Sequence, residues 1–307
     1  MEKTFTEQNI EKKTQKFLPV LKEMAKAYLH NKYKKNIQNE RMAEYCQCLA
    51  IDEKETPENN EKRKQVKDIL YTEYNQDLDK SFHDYFIQNK ENIIHKWFAY
   101  FDEYEKHFSR FRGKDVNILE IGVSHGGSTK MWKHYFSKNN AKVNIYGVDI
   151  NPDCKKLEEE GIQIFIGSQE DREFLRQLKT QIPPVDILID DGGHTMQQQI
   201  VTFEEMFDHV KDNGVYWVED LHTSYWEEFG GGGVELSFVD YTKNLIDELN
   251  AVYNKNKYTA GIPPITNFTK TAYSITYYDS VVVFEKRLRP EQYLKIAAQA
   301  IIGKKAF

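Results

Sequence analysis

Five short runs of aliphatic and β-branched residues, separated by stretches with helical periodicity, constrain the fold of this 307-residue chain more than any other feature. In order, the runs are VNILEIGV, NIYGVDI, IQIFIGS, VDILIDD and GVYWVED. Strands that are apolar on both faces and alternate with helices indicate βαβ units, which build a parallel sheet covered by helices on both sides. We therefore predict an α/β fold with a doubly wound, mostly parallel sheet.

The segments on either side of this pattern predict further elements. YSITYYDSVVVFEK predicts two antiparallel strands around a turn at Asp279 and Ser280, placed at the end of the sheet, and EQYLKIAAQAII has helical spacing. The charged start of the chain predicts short helices followed by a polar linker over 52–64. We divide the chain into an N-terminal helical region, 1–94, and a sheet domain, 95–307.

Aromatic residues at steps of three and four follow residue 94 and predict one face of a helix. They are Trp97, Phe101, Tyr104, Phe108 and Phe111. We favour a helix face packed on the sheet domain over a substrate-stacking surface, because such stripes are usually core.

Composition excludes several classes of protein. Lys and Arg number 42 against 48 Asp and Glu, a net charge of -6, so a chain-wide basic footprint for nucleic acid is absent. The three cysteines cannot form a disulfide framework, and the first residues lack the apolar stretch of a signal peptide. No run is apolar enough to predict a membrane span. We expect a cytoplasmic protein without a nucleic-acid partner.

Ligands of doubly wound sheets bind beyond the carboxyl ends of the strands, so the residues there are candidates for a site. The first end, EIGVSHGGST, combines an acid with glycines that allow close approach of a ligand to the backbone. It lacks the G-x-G-x-x-G pattern of dinucleotide sites, which disfavours NAD and FAD. Tight packing of the turn on the helix is the alternative. The candidate residues at this end are Glu120, Gly122, Ser128 and Thr129.

The second and third strand ends add candidates for binding a nucleoside. Asp149 ends the second strand, where an acid can accept hydrogen bonds from ribose hydroxyls, although capping the helix at Pro152 is an alternative. Ser168 or Gln169, in GSQED, can contact a purine edge. Asp171 is explained by helix capping alone.

The fourth end, IDDGGH, is the most informative. Asp190 and Asp191 repel each other unless a cation or separate hydrogen-bond partners compensate them, and consecutive residues can face different ligands. The glycines place His194 at the start of a helix, where the positive helix end would keep it neutral enough to act as a base. A lone histidine is usually structural, but the adjacent Asp pair favours the catalytic interpretation.

The fifth end, VEDLH, carries Glu219 and Asp220, which can converge with Asp191 into an oxygen-rich site suited to Mg²⁺. Zinc fits poorly, because no cysteine or histidine set completes a tetrahedral site. His222 is either a contact of the substrate or a solvated side chain.

Four glycines at 230–233 in TSYWEEFGGGG predict a mobile loop over the pocket, with a slack surface loop as the alternative. Before them, Tyr225 and Trp226 can form a stacking wall for a sugar or another amphipathic substrate.

Together, EIGVSHGGSTKMW, YGVDI, GSQED, IDDGGHTMQQQ and VEDLHTSYW resemble the class I S-adenosylmethionine-dependent methyltransferases. Within that class, these motifs are similar to those of the macrocin/mycinamicin-type sugar O-methyltransferases. The resemblance implies a Rossmann-like seven-stranded sheet and S-adenosylmethionine as cosubstrate. It also implies a Mg²⁺ ion on the carboxylates of Asp191, Glu219 and Asp220, and His194 as general base. The chain departs from the family in its first glycine loop and at Gly193, where the family has a variable residue.

We therefore expect a Mg²⁺-dependent O-methyltransferase acting on a hydroxyl of a sugar or sugar-containing small molecule, such as a glycan, capsule or natural-product precursor. Two alternatives stay open. One is a methyltransferase for another small acceptor, namely a phosphorylated compound, a diol or an amine. The other is a non-catalytic S-adenosylmethionine-binding module. The expected partner is a small-molecule acceptor, and a homo-oligomer is left open.

Overall fold

The computed structural model describes residues 81–233, 236–253 and 264–288, together with positions 57, 61 and 64. The chain divides into two compact units, 1–76 and 77–307, and the three continuous described ranges lie in the second. The helices predicted near the N terminus and at EQYLKIAAQAII lie outside the described residues. Positions 57, 61 and 64 are helical, so the prediction of a linker is wrong there. Glu61 and Lys64 are good helix formers even without an apolar face.

Seven strands and seven α-helices are numbered here over the described residues. The strands are β1 (Val116–Ile121), β2 (Val143–Asp149), β3 (Ile162–Ile166), β4 (Val185–Asp190), β5 (Val210–Val218), β6 (Ala272–Tyr278) and β7 (Val281–Lys286). The helices are α1 (Ser81–Gln88), α2 (Phe98–Phe108), α3 (Gly127–Phe136), α4 (Arg172–Gln181), α5 (Met196–Met206), α6 (Phe238–Leu249) and α7 (Asn267–Thr271).

The strands form one sheet with the order β3-β2-β1-β4-β5-β7-β6. The first five strands pair in parallel, and β7 is antiparallel to both β5 and β6. This confirms the predicted seven-stranded, mostly parallel sheet with a terminal antiparallel strand. The order reverses at β1 and β4, and a crevice opens beyond the carboxyl ends of strands at such a reversal.

Helix α2 confirms the core of the predicted aromatic face. Phe101, Tyr104 and Phe108 are fully buried, and the ring of Tyr104 lies 4.8 Å from that of Trp217 in β5. Trp97 differs from the prediction: it precedes the helix and is 46% exposed. The helix therefore packs on the sheet through its middle, and its first turn lies beside the carboxyl ends of the strands.

Helix α1 lies within the predicted N-terminal region, and the boundary predicted at residue 94 stays a prediction. The ring of Phe82 on α1 stacks on that of Tyr135 on α3, with centroids 3.8 Å apart. Within the described ranges, no helix combines the length and apolar character needed to cross a bilayer.

Candidate active site

The acids at the carboxyl ends of the central strands are neighbours in the structure. The backbone N–H of Asp191 donates to Ile121 O at 2.9 Å, and that of Glu219 donates to Asp190 O at 2.9 Å. These bonds extend the parallel ladders β1-β4 and β4-β5 by one step beyond the strands. The structure thus places Asp190, Asp191 and Glu219 side by side at the sheet edge where the sequence predicts that Asp191, Glu219 and Asp220 converge.

Gly122 lets the turn after β1 contact the turn after β4. Its φ is +92°, and a Cβ built there would lie 2.0 Å from the carbonyl oxygen of Asp191. A side chain at this position would push the two turns apart. Gly122 therefore has a steric role in assembling the acids.

We expect Gly122→Ala to lower the free energy of unfolding by about 3–5 kcal/mol, through the clash and the left-handed backbone together. Gly233→Ala is the matched control, because Gly233 has φ +85° and nothing within 4 Å of its added Cβ. The control should lose only about 1 kcal/mol, the cost of the backbone conformation. Urea unfolding of both variants measures the difference. Equal losses would show that the contact with Asp191 is unimportant.

Asp191, His194 and Asp220 form a compact cluster. His194 Nε2 lies 3.4 Å from Asp220 Oδ2 and 4.0 Å from Asp191 Oδ1. His194 and Asp220 both have left-handed backbone, with φ values of +57° and +55°. This conformation is uncommon for residues other than glycine, and such strain concentrates at functional sites. Asp191, His194 and Asp220 each offer one ligand atom, and these atoms all lie within 4.8 Å of one another.

The donors of this cluster fit a divalent cation. Carboxylate oxygens from two turns face one position, and hard cations such as Mg²⁺ prefer oxygen ligands. Glu219, also predicted as a ligand, points to the α2 side: its Oε2 lies 2.9 Å from Lys96 Nζ, and Tyr104 OH and Trp217 Nε1 both donate to its Oε1. Its role as a ligand stays a prediction.

Lys96 is a member of the site that the sequence reasoning missed. Its side chain is 2% exposed, and Nζ lies 2.5 Å from Asp191 Oδ2, 2.9 Å from Glu219 Oε2 and 4.0 Å from Glu120 Oε1. Lys96 lies two residues before α2 and faces the strand ends.

Two tyrosines of α2 also form hydrogen bonds with the acids of the site. Tyr100 OH donates to Asp220 Oδ1 at 2.8 Å, and Tyr104 OH donates to Glu219. The signal was present in the sequence: Lys96, Tyr100 and Tyr104 are spaced by four, and a buried tyrosine hydroxyl needs a polar partner where phenylalanine does not.

Burial shifts the pKa of the ionisable groups at this site. It raises the pKa of Glu120, Asp190, Asp191 and Glu219, and the ammonium of Lys96 opposes the increase for all of these except Asp190. The pKa of His194 is lowered, chiefly by burial, with the Asp220 charge opposing. Burial, not the helix N terminus invoked from the sequence, is thus the main cause for His194.

The predicted nucleoside end of the crevice lies beside Asp149. Asp149 Oδ2 accepts the backbone N–H groups of Val123 and Ser124, and Oδ1 accepts that of Asn151, so the carboxylate shapes the turn after β1. Helix capping at Pro152 belongs to Asn151, which accepts from Asp153 N. A cleft of about 750 Å³ opens here. Its lining includes Asn92, Ser124, His125 and Asp149.

The other predicted cosubstrate residues lie deeper. The amide of Gln169 donates to Asp190 Oδ1 at 2.9 Å and accepts from Gly193 N at 2.7 Å, so it holds the IDDGG turn in place. Ser168 Oγ accepts from Glu170 N. Ser128 and Thr129 are buried in the first turn of α3. Binding of the cosubstrate by these side chains stays a prediction.

Glu120 and Asp190 retain capacity for a ligand. Among the described residues, Glu120 Oε2 and Asp190 Oδ2 are buried and have no hydrogen-bond partner. Glu120 Oε1 accepts from Trp132 Nε1 at 3.0 Å. A buried carboxylate oxygen without a partner is costly, and a ligand that donates hydrogen bonds would satisfy it.

Aromatic side chains contact His222, which lies beside Asp220 in the acid cluster. Tyr225 is 64% exposed and Trp226 is 44% exposed. The ring of His222 lies 4.6 Å from that of Trp226 and 6.0 Å from that of Trp97, and its Nδ1 lies 2.7 Å from Ser280 Oγ. Trp97, which the sequence assigned to the core, thus lies beside His222, and stacking of a substrate on Tyr225 and Trp226 stays a prediction.

The glycine run after this wall is folded back. Gly231 N donates to Trp226 O at 2.9 Å, and Gly232 N donates to Ser224 O at 3.0 Å. This hydrogen-bonded turn ties the run to the aromatic residues. Movement of the loop over a ligand stays a prediction.

Residues 119–221 match a protein family described as "Methyltransferase domain". The chain is similar to demethylmacrocin O-methyltransferase of Streptomyces fradiae, with 38% identity over 175 residues, or 53% of this chain and 42% of that protein. It is also similar to 8-demethyl-8-alpha-L-rhamnosyl tetracenomycin-C 2'-O-methyltransferase of Streptomyces olivaceus, with 34% identity over 203 residues, or 62% of this chain and 52% of that protein. The chain spans about half the length of these relatives.

The chain is also similar to solved structures of a methyltransferase. The MycE methyltransferase from the mycinamycin biosynthetic pathway, in complex with Mg and SAH, matches with a TM-score of 0.57 and 29% identity, covering 69% of this chain and 55% of that one. A MycE complex that also contains mycinamycin VI matches with a TM-score of 0.56 and 27% identity, covering 74% and 57%.

The match over residues 119–221 and the similarity to MycE thus relate the sheet of this chain to Rossmann-like methyltransferase domains. Within that class, the chain resembles the macrocin/mycinamicin-type sugar O-methyltransferases, as its motifs predict.

Proposed function

We propose that the chain is a Mg²⁺-dependent O-methyltransferase that transfers the methyl group of S-adenosylmethionine to a hydroxyl of a sugar-containing small molecule. The observation that carries the proposal is the cluster of Asp191, His194 and Asp220 beside the glycine turn of β1. A base next to carboxylates, at the crevice of a methyltransferase fold, supplies what an alcohol acceptor requires. We also propose a cytoplasmic location for the protein.

An alcohol is a weak nucleophile, so its proton must leave as the methyl group transfers. His194 Nε2 would take this proton, and Asp220 Oδ2, at 3.4 Å, would stabilise the imidazolium that forms. The oxygen then bonds to the methyl carbon as the carbon–sulfur bond breaks, which leaves S-adenosylhomocysteine. A Mg²⁺ ion held by Asp191 and Asp220, with Glu219 as a further ligand, would supply Lewis acidity and orient the acceptor oxygens. Positioning and electrostatics would provide most of the acceleration.

The acceptor side favours a sugar. Trp97 and Trp226 are partly exposed and both contact the ring of His222, whose Nδ1 lies 4.0 Å from Asp220 Oδ1, and sugars pack their apolar faces on aromatic rings. The similar proteins are named for methylation of sugars on antibiotics, including mycinamicin VI and a rhamnosyl tetracenomycin. A sugar carrying vicinal hydroxyls is therefore the acceptor class that we propose.

Two measurements test the proposal. Isothermal titration calorimetry with S-adenosylhomocysteine and Mg²⁺ should detect both ligands. Transfer of radiolabelled methyl groups to a panel of nucleotide sugars and glycosides should then identify an acceptor, with activity lost in EDTA. Activity that survives EDTA would favour an amine acceptor instead. Binding of the cosubstrate without turnover of any acceptor class, including diols, phosphorylated compounds and amines, would favour a non-catalytic module.

The acid limb of the pH profile provides a further prediction. Because burial lowers the pKa of His194, the base stays deprotonated at a lower pH than an ordinary histidine. We expect kcat, measured with saturating Mg²⁺, to fall only below about pH 6.5. Profiles of the wild type and of His194→Asn between about pH 5 and about pH 9 would test this, since the residual activity of the variant should lack the limb. A midpoint above about pH 6.5 would contradict this expectation.

A further inference from the structure

The Lys96 ammonium is buried among acids and has no established role. Removing an ammonium from water costs several kcal/mol unless charges and hydrogen bonds compensate it. Here Asp191 and Glu219 both accept from Nζ, and Glu120 lies 4.0 Å away. The position of Lys96 is thus determined by the acids of the site. Its hydrocarbon chain alone does not explain why a charge is placed there.

Lys96 and a divalent cation would share one carboxylate. Lys96 Nζ contacts Oδ2 of Asp191, whereas Oδ1 of the same residue faces His194 at 4.0 Å. The ammonium and the candidate cation position therefore lie on two sides of the Asp191 carboxylate. Two positive charges on one carboxylate repel each other, and this repulsion is strong where water is excluded.

The segment that carries Lys96 also crosses the cosubstrate end of the crevice. Asn92 Nδ2 donates to His125 O at 2.7 Å, and a Cβ built on Gly127 would lie 2.3 Å from Ile93 O. This segment is therefore in close contact with the glycine turn. Through Lys96 its far end is fixed to the acids, so one segment connects the two halves of the site.

We propose that Lys96 is a positioning residue, a built-in counter-cation that holds Asp191 and Glu219 in place before metal binds and that opposes binding of the divalent cation through the shared carboxylate. The part of this proposal that concerns the divalent cation rests on the proposed function. The counter-cation keeps the acids assembled without metal, and it weakens metal binding so that the ion can exchange.

Lys96→Met tests the proposal, since it removes the charge and keeps most of the length. In EDTA the variant should be less stable to urea than the wild type, because two buried carboxylates lose their partner. In calorimetry without cosubstrate or acceptor, at about pH 8.5, Mg²⁺ should bind at least about tenfold more tightly, because the repulsion is gone. Saturating Mg²⁺ should therefore restore much of the lost stability.

Lys106→Met is the matched control. Lys106 is also on the α2 side of the domain and pairs with Glu103 at the surface, so its replacement changes the net charge equally. It should leave both stability and Mg²⁺ affinity nearly unchanged. Lys96→Arg, which retains the charge, should bind Mg²⁺ less tightly than Lys96→Met does.

The outcomes separate this proposal from the proposed function. A stable Lys96→Met variant in EDTA, or a destabilised one with unchanged Mg²⁺ affinity, overturns the role of Lys96. Failure of Lys96→Met to fold both with and without Mg²⁺ also overturns it, whereas folding only with Mg²⁺ is the expected rescue. If the wild type binds no Mg²⁺, the metal part of the proposed function fails. In that case, Mg²⁺ binding by the Lys96→Met variant would support the role of Lys96. A variant that also binds no Mg²⁺ would overturn that role.

Discussion

Exchange of His194 for asparagine is expected to lower kcat for methyl transfer by about 100- to 10,000-fold, the usual contribution of a general base. Asparagine tolerates the left-handed backbone that His194 adopts at φ +57°, so the turn should keep its shape. It cannot accept the proton of the acceptor hydroxyl. Affinity for S-adenosylhomocysteine, measured by calorimetry, should change by less than about twofold, because the cleft beside Asp149, where we expect the cosubstrate, is not lined by His194.

His134→Asn is the control for this variant. His134 is an exposed histidine on α3, in ring contact with Tyr85 and outside the acid cluster, so its replacement should leave kcat within about twofold. Retention of wild-type kcat in His194→Asn would refute the assignment of the base. An equal loss of kcat in both variants would indicate a general effect of lost histidines on the fold.

Asp191→Asn is expected to have the second large effect, since Asp191 contacts both Lys96 and His194. We expect Mg²⁺ affinity to fall by at least about 100-fold and kcat to fall by a similar factor, because a neutral amide binds hard cations weakly. Calorimetric titration with Mg²⁺ measures the first effect, and methyl transfer at saturating acceptor measures the second.

Asp186→Asn, on strand β4, is the control for Asp191→Asn. Asp186 lies near the amino end of β4, where it accepts from Asn117 N and pairs with Lys211. Asp186→Asn should cost some stability but leave Mg²⁺ affinity within about twofold. If Asp186→Asn impaired Mg²⁺ binding as strongly as Asp191→Asn, the effect would be one of sheet stability and not of metal ligation.

The sheet and its acids were predictable because parallel strands buried on both faces have a distinctive composition. In β4, VDILID is almost wholly apolar until it reaches the paired aspartates, so both the strand and its carboxyl end can be recognised. Since all parallel strands end at one edge, the adjacent positions of Asp191, Glu219 and Asp220 followed from the topology, whereas the direction of the Glu219 carboxylate did not.

The spacing of Lys96, Tyr100 and Tyr104 indicates one polar helix face, but it does not show that this face contacts the acids. Lys96 lies 95 residues before Asp191, and no periodicity connects them. Only the packing of α2 against β5, through Tyr104 and Trp217, brings Lys96 to the strand ends. Gln169 shows a similar limit: its place at a strand end suggested ligand contact, which stays a prediction, but not the hydrogen bonds of its amide to the neighbouring turn.

The left-handed backbone at His194 and Asp220 bears on how this chain would respond to selection for heat resistance. Glycine at either position would relieve conformational strain of about 1 kcal/mol, and neutral residues in place of the crowded acids would relieve repulsion as well. A directed-evolution campaign scored on thermostability alone would therefore favour variants without the cluster. The residues of this site are the ones that such a campaign should hold fixed.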